Sequence, residues 1–421
     1  MKDKINVTVM FPYPSGEGLH IGHYYNYAII DSYCRYKRYL GFEVFQPFGF
    51  DSFGLPAENY ARKIGGDPKE ITYQNIENFR KQIKQMGTQY EEILVTSDNN
   101  YIEETQKVFN LLLKRRLAYK KHGVVDYCPK CETTLAKEQV KQGVCERCDN
   151  LVDKKELNQW YFKITEYKDR LIKNLDFIDY PEKTKKMQRT WLENLHDWCI
   201  SRQRKWGCPI PIDGEEDTLD TFVDSSFYYI VYQAMKGFKP KAVDLYVGGS
   251  EHACMHLIYA RFICMVLYDE GLIDFEEPFK KVIHQGMILK DGEKMSKSKG
   301  NTISPDLYDS GALRFYLMFL GHYFDGGSFN DDNFKGIPRF INKMETWLSK
   351  IGEEKINIEE FKERIFKYTE DFKFNKVVSE FMILLNKNKN KSLTEEQSLE
   401  IRDLLSIYIP NFDKKKMLNI P

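Results

Sequence analysis

Two histidines three residues apart, His20-Ile-Gly-His23, and a lysine-serine run far downstream, Lys294-Met-Ser-Lys297-Ser298, carry what a polyphosphate needs: cations and hydrogen-bond donors on short, Gly- or Ser-punctuated segments. The histidine spacing sets both imidazoles on one side of a helix's first turn, where the dipole favours an anion. Gly22 between them leaves room for a flat base or sugar to approach the backbone. A capping or packing role at the helix start is the plainer reading. Gly292 and Gly300 flank the lysines, so the loop suits closing over a triphosphate; a solvated basic loop is the alternative.

Three further constellations stand out. Cys128-Pro-Lys-Cys131 and Cys145-Glu-Arg-Cys148 offer two thiolate pairs on tight turns, enough to close a tetrahedral zinc site with no position left for water. Such a zinc is structural. Asp51 lies in Pro47-Phe-Gly-Phe-Asp-Ser-Phe-Gly-Leu-Pro56, among aromatic and turn residues where a carboxylate needs a cationic partner. A substrate α-ammonium would serve, as would an N-cap or an internal salt bridge. His252 and His256 follow Gly248-Gly249-Ser-Glu251 at i, i+4, but Ala253 stands where a metal-binding H-E-x-x-H needs glutamate, so they read as a pocket wall.

The elements that must hold these residues are legible as an α/β fold. Residues 5–11 form a β-branched strand, Pro12 to Gly18 a loop, and a helix runs from Ile21 to about Tyr39 with Tyr24, Ala28, Ile29 and Tyr33 on one buried face. Gly41 ends it and a second strand covers 42–45, completing a βαβ unit whose ligands bind at the carboxyl ends of the strands. A helical stretch over about 71–116, a cysteine segment over 127–150, a second βα unit from strand 243–247 to a helix over about 252–269, and a strand over 282–289 follow. From Asp332 the pattern is helical and lysine-rich. The expected division is 1–113 and 207–331 as two halves of one catalytic domain, 114–206 as a connecting insertion with the cysteine knuckle, and 332–421 as a short helical bundle.

The 62 basic residues balance the 62 acidic ones, so any nucleic acid must be met by local patches such as Lys114-Arg-Arg116, Lys183 to Lys186, Lys387 to Lys391 and Lys414 to Lys416. No window reaches the apolar length of a membrane span, and the nine cysteines do not form a secreted disulfide framework. A cytoplasmic monomer is the expectation.

Met10-Phe-Pro-Tyr-Pro-Ser-Gly16, Leu19 to His23, Phe53 to Asn59, Met187-Gln-Arg, Asp197 to Arg204, Asp220 to Ser226 and the lysine loop together resemble the leucyl-tRNA synthetases of class I, over about residues 5–345. That resemblance implies a Rossmann-like parallel sheet split by a zinc-bearing insertion and followed by a short helical bundle. It implies ATP-dependent activation of leucine and transfer to tRNA(Leu), with Mg2+ accompanying ATP and a structural Zn2+ on Cys128, Cys131, Cys145 and Cys148. By the same resemblance Asp51 holds the leucine ammonium, and Met10, Phe11, Tyr13, Phe222, Tyr228, Tyr246, His252 and His256 line the amino-acid pocket. Gly22, Gly249 and Glu251 belong to the ATP site, Glu251 taking the ribose and the backbone near Met287 the adenine. His20, His23, Lys294 and Lys297 contact phosphates. Phe50 and Phe227 stand where the family usually has tryptophan.

Two departures matter. Between Trp191 and Trp198 stand only Leu-Glu-Asn-Leu-His-Asp, where most of the family carries an editing domain, so post-transfer editing is expected to be absent. The segment 332–421 is shorter than the family's helical bundle. This leaves open a paralogue that passes leucyl-adenylate to a carrier protein or small molecule, and a non-catalytic regulator; the intact His20/His23 and lysine motifs argue against the latter.

Overall fold

The computed structural model describes residues 3–14, 18–135, 139–146, 148–290, 292–295, 301–410 and 412, with backbone alone at 55–57, 63 and 294. Lys297 and the rest of 296–300 lie outside the described residues.

A parallel four-stranded sheet organises the molecule. Strand β1 (Lys4–Val9) pairs on one side with β2 (Glu43–Phe45), and on the other with β8 (Leu245–Val247), which pairs in turn with β9 (Val282–Ile283). Alternation decides the two faces. Val7, Val9, Leu245 and Val247 enter one core, while Tyr246 and Val282 enter the other. On that second face Thr8 Oγ1 and the Tyr232 hydroxyl lie 2.5 Å apart.

Helix α1 (Ile21–Tyr39) covers the first face and begins at the carboxyl edge of β1. Gly41, at φ +86°, turns the chain out of it. Burial extends well beyond a single stripe, from Tyr24 through Ser32, because the C-terminal helices cover its outer side. There Tyr33 stacks on Phe372 at 5.0 Å, and Asp31 and Arg314, both fully buried, pair at 2.8 Å. Burial pushes the Asp31 carboxyl up, but the guanidiniums of Arg314 and Arg35 more than reverse this, and it stays ionised. Arg314 belongs to α6 (Ser310–Phe319); α7 (Gly336–Leu348), α8 (Glu359–Glu370), α9 (Phe374–Asn388) and α10 (Glu395–Ser406) complete a bundle that shares α1's core.

Three expectations need correction. The stretch expected to be helical over 71–116 is two helices, α2 (Pro68–Gln85) and α3 (Asn99–Lys114), with strand β4 (Glu91–Val95) between them. β4 pairs in parallel with β3 (Pro47–Phe50). Only Leu94 and Val95 of β4 are buried, which hid it in the sequence. Gly49 of β3 is required because a Cβ there would lie 2.5 Å from the Phe11 ring and 2.6 Å from the Leu94 carbonyl oxygen.

The single strand expected over 282–289 is two. β9 ends at Ile283, and β10 (Met287–Lys290) joins another sheet, antiparallel to β11 (Glu293–Lys294) and parallel to β12 (Gly326–Phe329). The break is at Gly286, where a Cβ would sit 2.0 Å from the Gly326 nitrogen. Finally, the helix expected from about His252 begins at His256, as α5 (His256–Asp269). A 3-10 turn covers Ser250–His252, and Met255, at φ −126° and ψ −99°, is not helical. His252 and His256 are therefore not neighbours on one helical face.

In the chain between β4 and β8, β5 (Ala118–Cys128) and β6 (Asp153–Phe162) form a long antiparallel ribbon, with β7 (Trp198–Cys199) on its outer edge. The ribbon's tip carries the four knuckle cysteines. Helix α4 (Glu182–Glu193) reaches β7 through the short turn 194–197.

Candidate active site

The start of α1 is built by its two histidines. His20 Nδ1 accepts the Gly22 N–H at 3.0 Å, and His23 Nδ1 accepts the His20 N–H at 3.2 Å. This reciprocal cap satisfies two of the helix's orphan donors. The capping role and the phosphate role are thus compatible, because each neutral ring with an accepting Nδ1 carries its proton on Nε2. The rings lie 3.9 Å apart, giving a pair of Nε2–H donors at a helix N-terminus, the arrangement that favours an anion. Gly22 serves this more directly than by admitting a base: a Cβ there would lie 2.8 Å from His20 Cε1.

His23 and Gly22 open onto a cleft of about 370 Å³. Met10, Phe11 and Tyr13 from the loop after β1 line it, as do Gly249, Glu251 and His252 from the turn after β8. Gly249 lets the Glu251 carboxylate fold back, since a Cβ would meet it at 2.2 Å. Phe222, Tyr228, Tyr246, His256 and Asp51 are not in the cleft wall but buried behind it. Phe11 stacks on Tyr228 at 4.2 Å, and the Tyr228 and Tyr246 hydroxyls lie 2.5 Å apart. Tyr246 meets His256 Nε2 at 2.7 Å, and Ser225 Oγ meets Nδ1 at 3.2 Å. Burial, with His252 beside it, lowers His256 to about 3, so it is neutral at neutral pH. The Phe222 ring meets His252 edge-on at 6.1 Å.

Asp51 is held just behind the cleft. Its N–H donates to the Pro12 carbonyl at 3.1 Å, and its carboxylate accepts from Thr221 Oγ1 at 3.0 Å. Thr221 is fixed in turn: Asp220 caps its short helix, pairs with the fully buried Arg202 at 2.5 Å and accepts from Trp198 Nε1 at 3.2 Å. Asp224, wholly buried nearby, lies within the Asp220 to Ser226 motif, which by itself gives it no role. Burial first and the Asp51 charge second push its carboxyl well above the usual range, so it is neutral.

The described flanks of the lysine loop approach the same place. Lys294 pairs with Leu289 across the β10–β11 hairpin, Met295 is buried in α1's core, and beyond the loop the Ile303 carbonyl accepts the Ile21 N–H at 3.0 Å. Both ends of the loop are therefore tethered beside the histidine cap. Met287 lines a second cavity of about 680 Å³, which meets the cleft at Gln285.

The model of the family "tRNA synthetases class I (I, L, M and V)" matches residues 1–245 and 212–326. The chain belongs to this family. Among curated relatives, the leucine–tRNA ligase of Clostridium kluyveri is 31% identical over 98% of this chain and 86% of its own length, and that of Clostridium tetani 30% over 98% and 85%. The first alignment runs over 693 residues against the 421 of this chain, so the relative carries long stretches with no counterpart here. In fold, the chain is similar to a LeuRS of Agrobacterium radiobacter K84 in ternary complex with tRNA and LeuAMS (TM-score 0.87, 24% identity, 97% of this chain and 84% of that one). It is also similar to a Mycobacterium tuberculosis methionyl-tRNA synthetase in complex with methionyl-adenylate (TM-score 0.80, 18% identity, 97% and 92%).

In this synthetase the cysteine knuckle is also part of the cleft. The four sulfurs lie within 4.8 Å of one another. Two of the separations, 3.4 and 3.5 Å, are close to the roughly 3.8 Å expected between thiolates around tetrahedral zinc, so the donor set fits. Val140–Lys141 and Val144–Cys145 form the knuckle's hairpin, and from it Lys141 and Glu146 reach the cleft wall, ion-paired at 3.4 Å. Sequence reading missed both, since nothing local marks which surface a knuckle folds against. Of the other cysteines, Cys34, Cys199, Cys208 and Cys264 are buried and Cys254 half-buried.

Proposed function

We propose that this synthetase activates leucine with ATP and transfers it to the 3′-terminal adenosine of tRNA(Leu), with 1–113 and 207–331 as its catalytic halves, 114–206 as the connecting insertion and 332–421 as an RNA-side bundle. The observation that carries this reading is the Ile21 N–H bond to the Ile303 carbonyl, which together with Met295 in α1's core brings the two described flanks of the lysine loop beside the histidine cap. In the first step a leucine carboxylate oxygen attacks the α-phosphorus of ATP and the bond to pyrophosphate breaks. His20 and His23 donate to the phosphates from Nε2, while Lys294 and Lys297 offset the charge growing on the departing pyrophosphate. Mg2+ accompanying ATP would add to this neutralisation of the phosphates. Asp51 receives the leucine ammonium, Glu251 the ribose and the backbone near Met287 the adenine, with Gly22 and Gly249 allowing close approach.

In the second step the 2′-hydroxyl of the terminal adenosine attacks the carbonyl carbon, AMP leaves, and the hydroxyl proton passes to solvent. No protein nucleophile is required; the protein aligns the reactants. Cys128, Cys131, Cys145 and Cys148 would hold a zinc ion, which would fix the knuckle that carries Lys141 and Glu146.

Only the short turn 194–197 joins α4 to β7, which supports an enzyme without post-transfer editing. A pocket separates substrates differing by one methylene by only about 10- to 200-fold. Norvaline, isoleucine and methionine are therefore activated measurably, and tRNA charged with them is not hydrolysed in cis. Among the described residues no helix is long and apolar enough to cross a membrane. Charging of tRNA(Leu) with leucine at low and moderate salt tests the reading. Leucyl-tRNA should accumulate and survive; activation without charging refutes transfer to tRNA, and rapid loss of mischarged tRNA refutes the absence of editing.

A further inference from the structure

Helix α4 presents one face to solvent that the chemistry above does not use. Its inner side is fixed: Leu192 is fully buried and Gln188 accepts from the buried Arg261 at 3.2 Å. The outer side carries Lys183, Lys186, Met187 and Trp191 at helical spacing, and with His196 and Cys254 these line a groove of about 650 Å³. Met187 is exposed and Trp191 half-buried, so apolar surface is left uncovered. Neither Lys183 nor Lys186 has an ion-pair partner among the described residues, whereas Lys185, turned aside, pairs with Asp176 at 3.2 Å.

The groove adjoins the catalytic cleft through a single turn. Residues 249–255 put Gly249, Glu251, His252 and Met255 on the cleft, Ser250 on the cavity that holds Met287, and Cys254 on the groove. Lys183 and Met187 line both that cavity and the groove, so the three spaces run side by side. Unpaired cations beside an aromatic on an open groove suit single-stranded nucleic acid, whose phosphates take the charge while a base stacks.

We infer that this groove receives the single-stranded 3′ end of the acceptor RNA, a base stacking on Trp191 and phosphates meeting Lys183 and Lys186, and so leads the terminal hydroxyl past the 249–255 turn into the cleft. This rests on the proposed transfer to tRNA. A carrier protein's acylated arm offers fewer charges for two lysines to meet than a run of phosphodiesters does.

The test compares the intact protein with Trp191→Ala, Trp191→Phe and the double variant Lys183→Gln, Lys186→Gln, measuring leucine-dependent pyrophosphate exchange without RNA and then charging of tRNA(Leu) across salt. Exchange should be unchanged in Trp191→Ala and Trp191→Phe, and the double variant is read by its salt dependence. KM for tRNA should rise about tenfold in Trp191→Ala and recover in Trp191→Phe. In the double variant the slope of log affinity against log salt should flatten by about 1.4, because two phosphates of a single strand are no longer neutralised. Unchanged KM and slope overturn the assignment, as does an equal fall in exchange and charging, which marks a structural role. Transfer of leucine to a carrier thiol that these variants impair, with no charging of tRNA, also overturns it. Absence of charging by the intact protein defeats the proposed function itself and is recognised before any variant is made.

Discussion

Replacing Gly22 with alanine separates the two jobs of the histidine cap. The added methyl would lie 2.8 Å from His20 Cε1 and 3.0 Å from Nδ1, too close for the ring to stay. Gly22 is not in the left-handed region, so the backbone accepts alanine without strain. The ring turns away, and the cap bond from the Gly22 N–H at 3.0 Å is lost, at about 1 kcal/mol. Against this, alanine gains up to about 1 kcal/mol over glycine within a helix. The two nearly cancel, so Tm should move by no more than about 2 °C. Activity should not be spared. Removing one positioned donor from a developing charge costs about 10²–10³ in kcat, and here His20's Nε2–H moves while His23 loses the tilted ring 3.9 Å from it. Pyrophosphate exchange with leucine should fall about a hundredfold in kcat, as in His20→Ala, with KM for leucine within about threefold. Retention of more than a third of wild-type kcat, with Tm unchanged, would falsify the claim that the capped geometry of His20 positions its phosphate donor.

Three other outcomes follow from the same geometry. Asp51→Asn keeps the Thr221 contact but removes the charge, and should raise KM for leucine about thirtyfold or more in the exchange assay; a change under threefold denies Asp51 the ammonium. His256, at about 3 in the folded protein against 6.5 unfolded, stays neutral while the unfolded chain takes up a proton, so its contribution is present above pH 6.5 and erodes as pH falls toward 3. Between pH 7.5 and 5 the protein should lose about 2 kcal/mol more stability than His256→Gln in denaturant titrations, and parallel curves would contradict this. Purified protein should carry one zinc by elemental analysis, and chelation or Cys145→Ser should impair exchange as well as thermal stability, because Lys141 and Glu146 leave the cleft wall with the knuckle; full activity without metal breaks that link.

What the sequence disclosed was what local chemistry marks. The β-branched run before Pro12 and Gly41 after the helix delimited the first βαβ unit, and the cysteine spacing announced the knuckle whose sulfurs lie within 4.8 Å. The motif residues Met10, Phe11, Tyr13, Gly22, His23, Gly249, Glu251 and His252 do share one cleft. What stayed hidden depends on contacts between distant segments. β4 is a strand because β3 lies beside it, not because its own residues demand it. The split after Ile283 needs the Gly326 backbone pressed against Gly286. Lys141, Glu146 and Asp224 gain their surroundings only when the knuckle and the 221–225 helix close around the cleft, and no pattern in their own neighbourhoods signals it.

The cap, the lysine loop and Asp51 are proposed to serve one reaction between ATP and leucine. Pyrophosphate exchange measured without RNA, with each of the twenty amino acids and with norvaline, tests it most directly. Leucine should drive the exchange strongly, with norvaline, isoleucine and methionine about 10- to 200-fold weaker. No exchange with any of them, or preference for a charged or aromatic amino acid, would contradict the account.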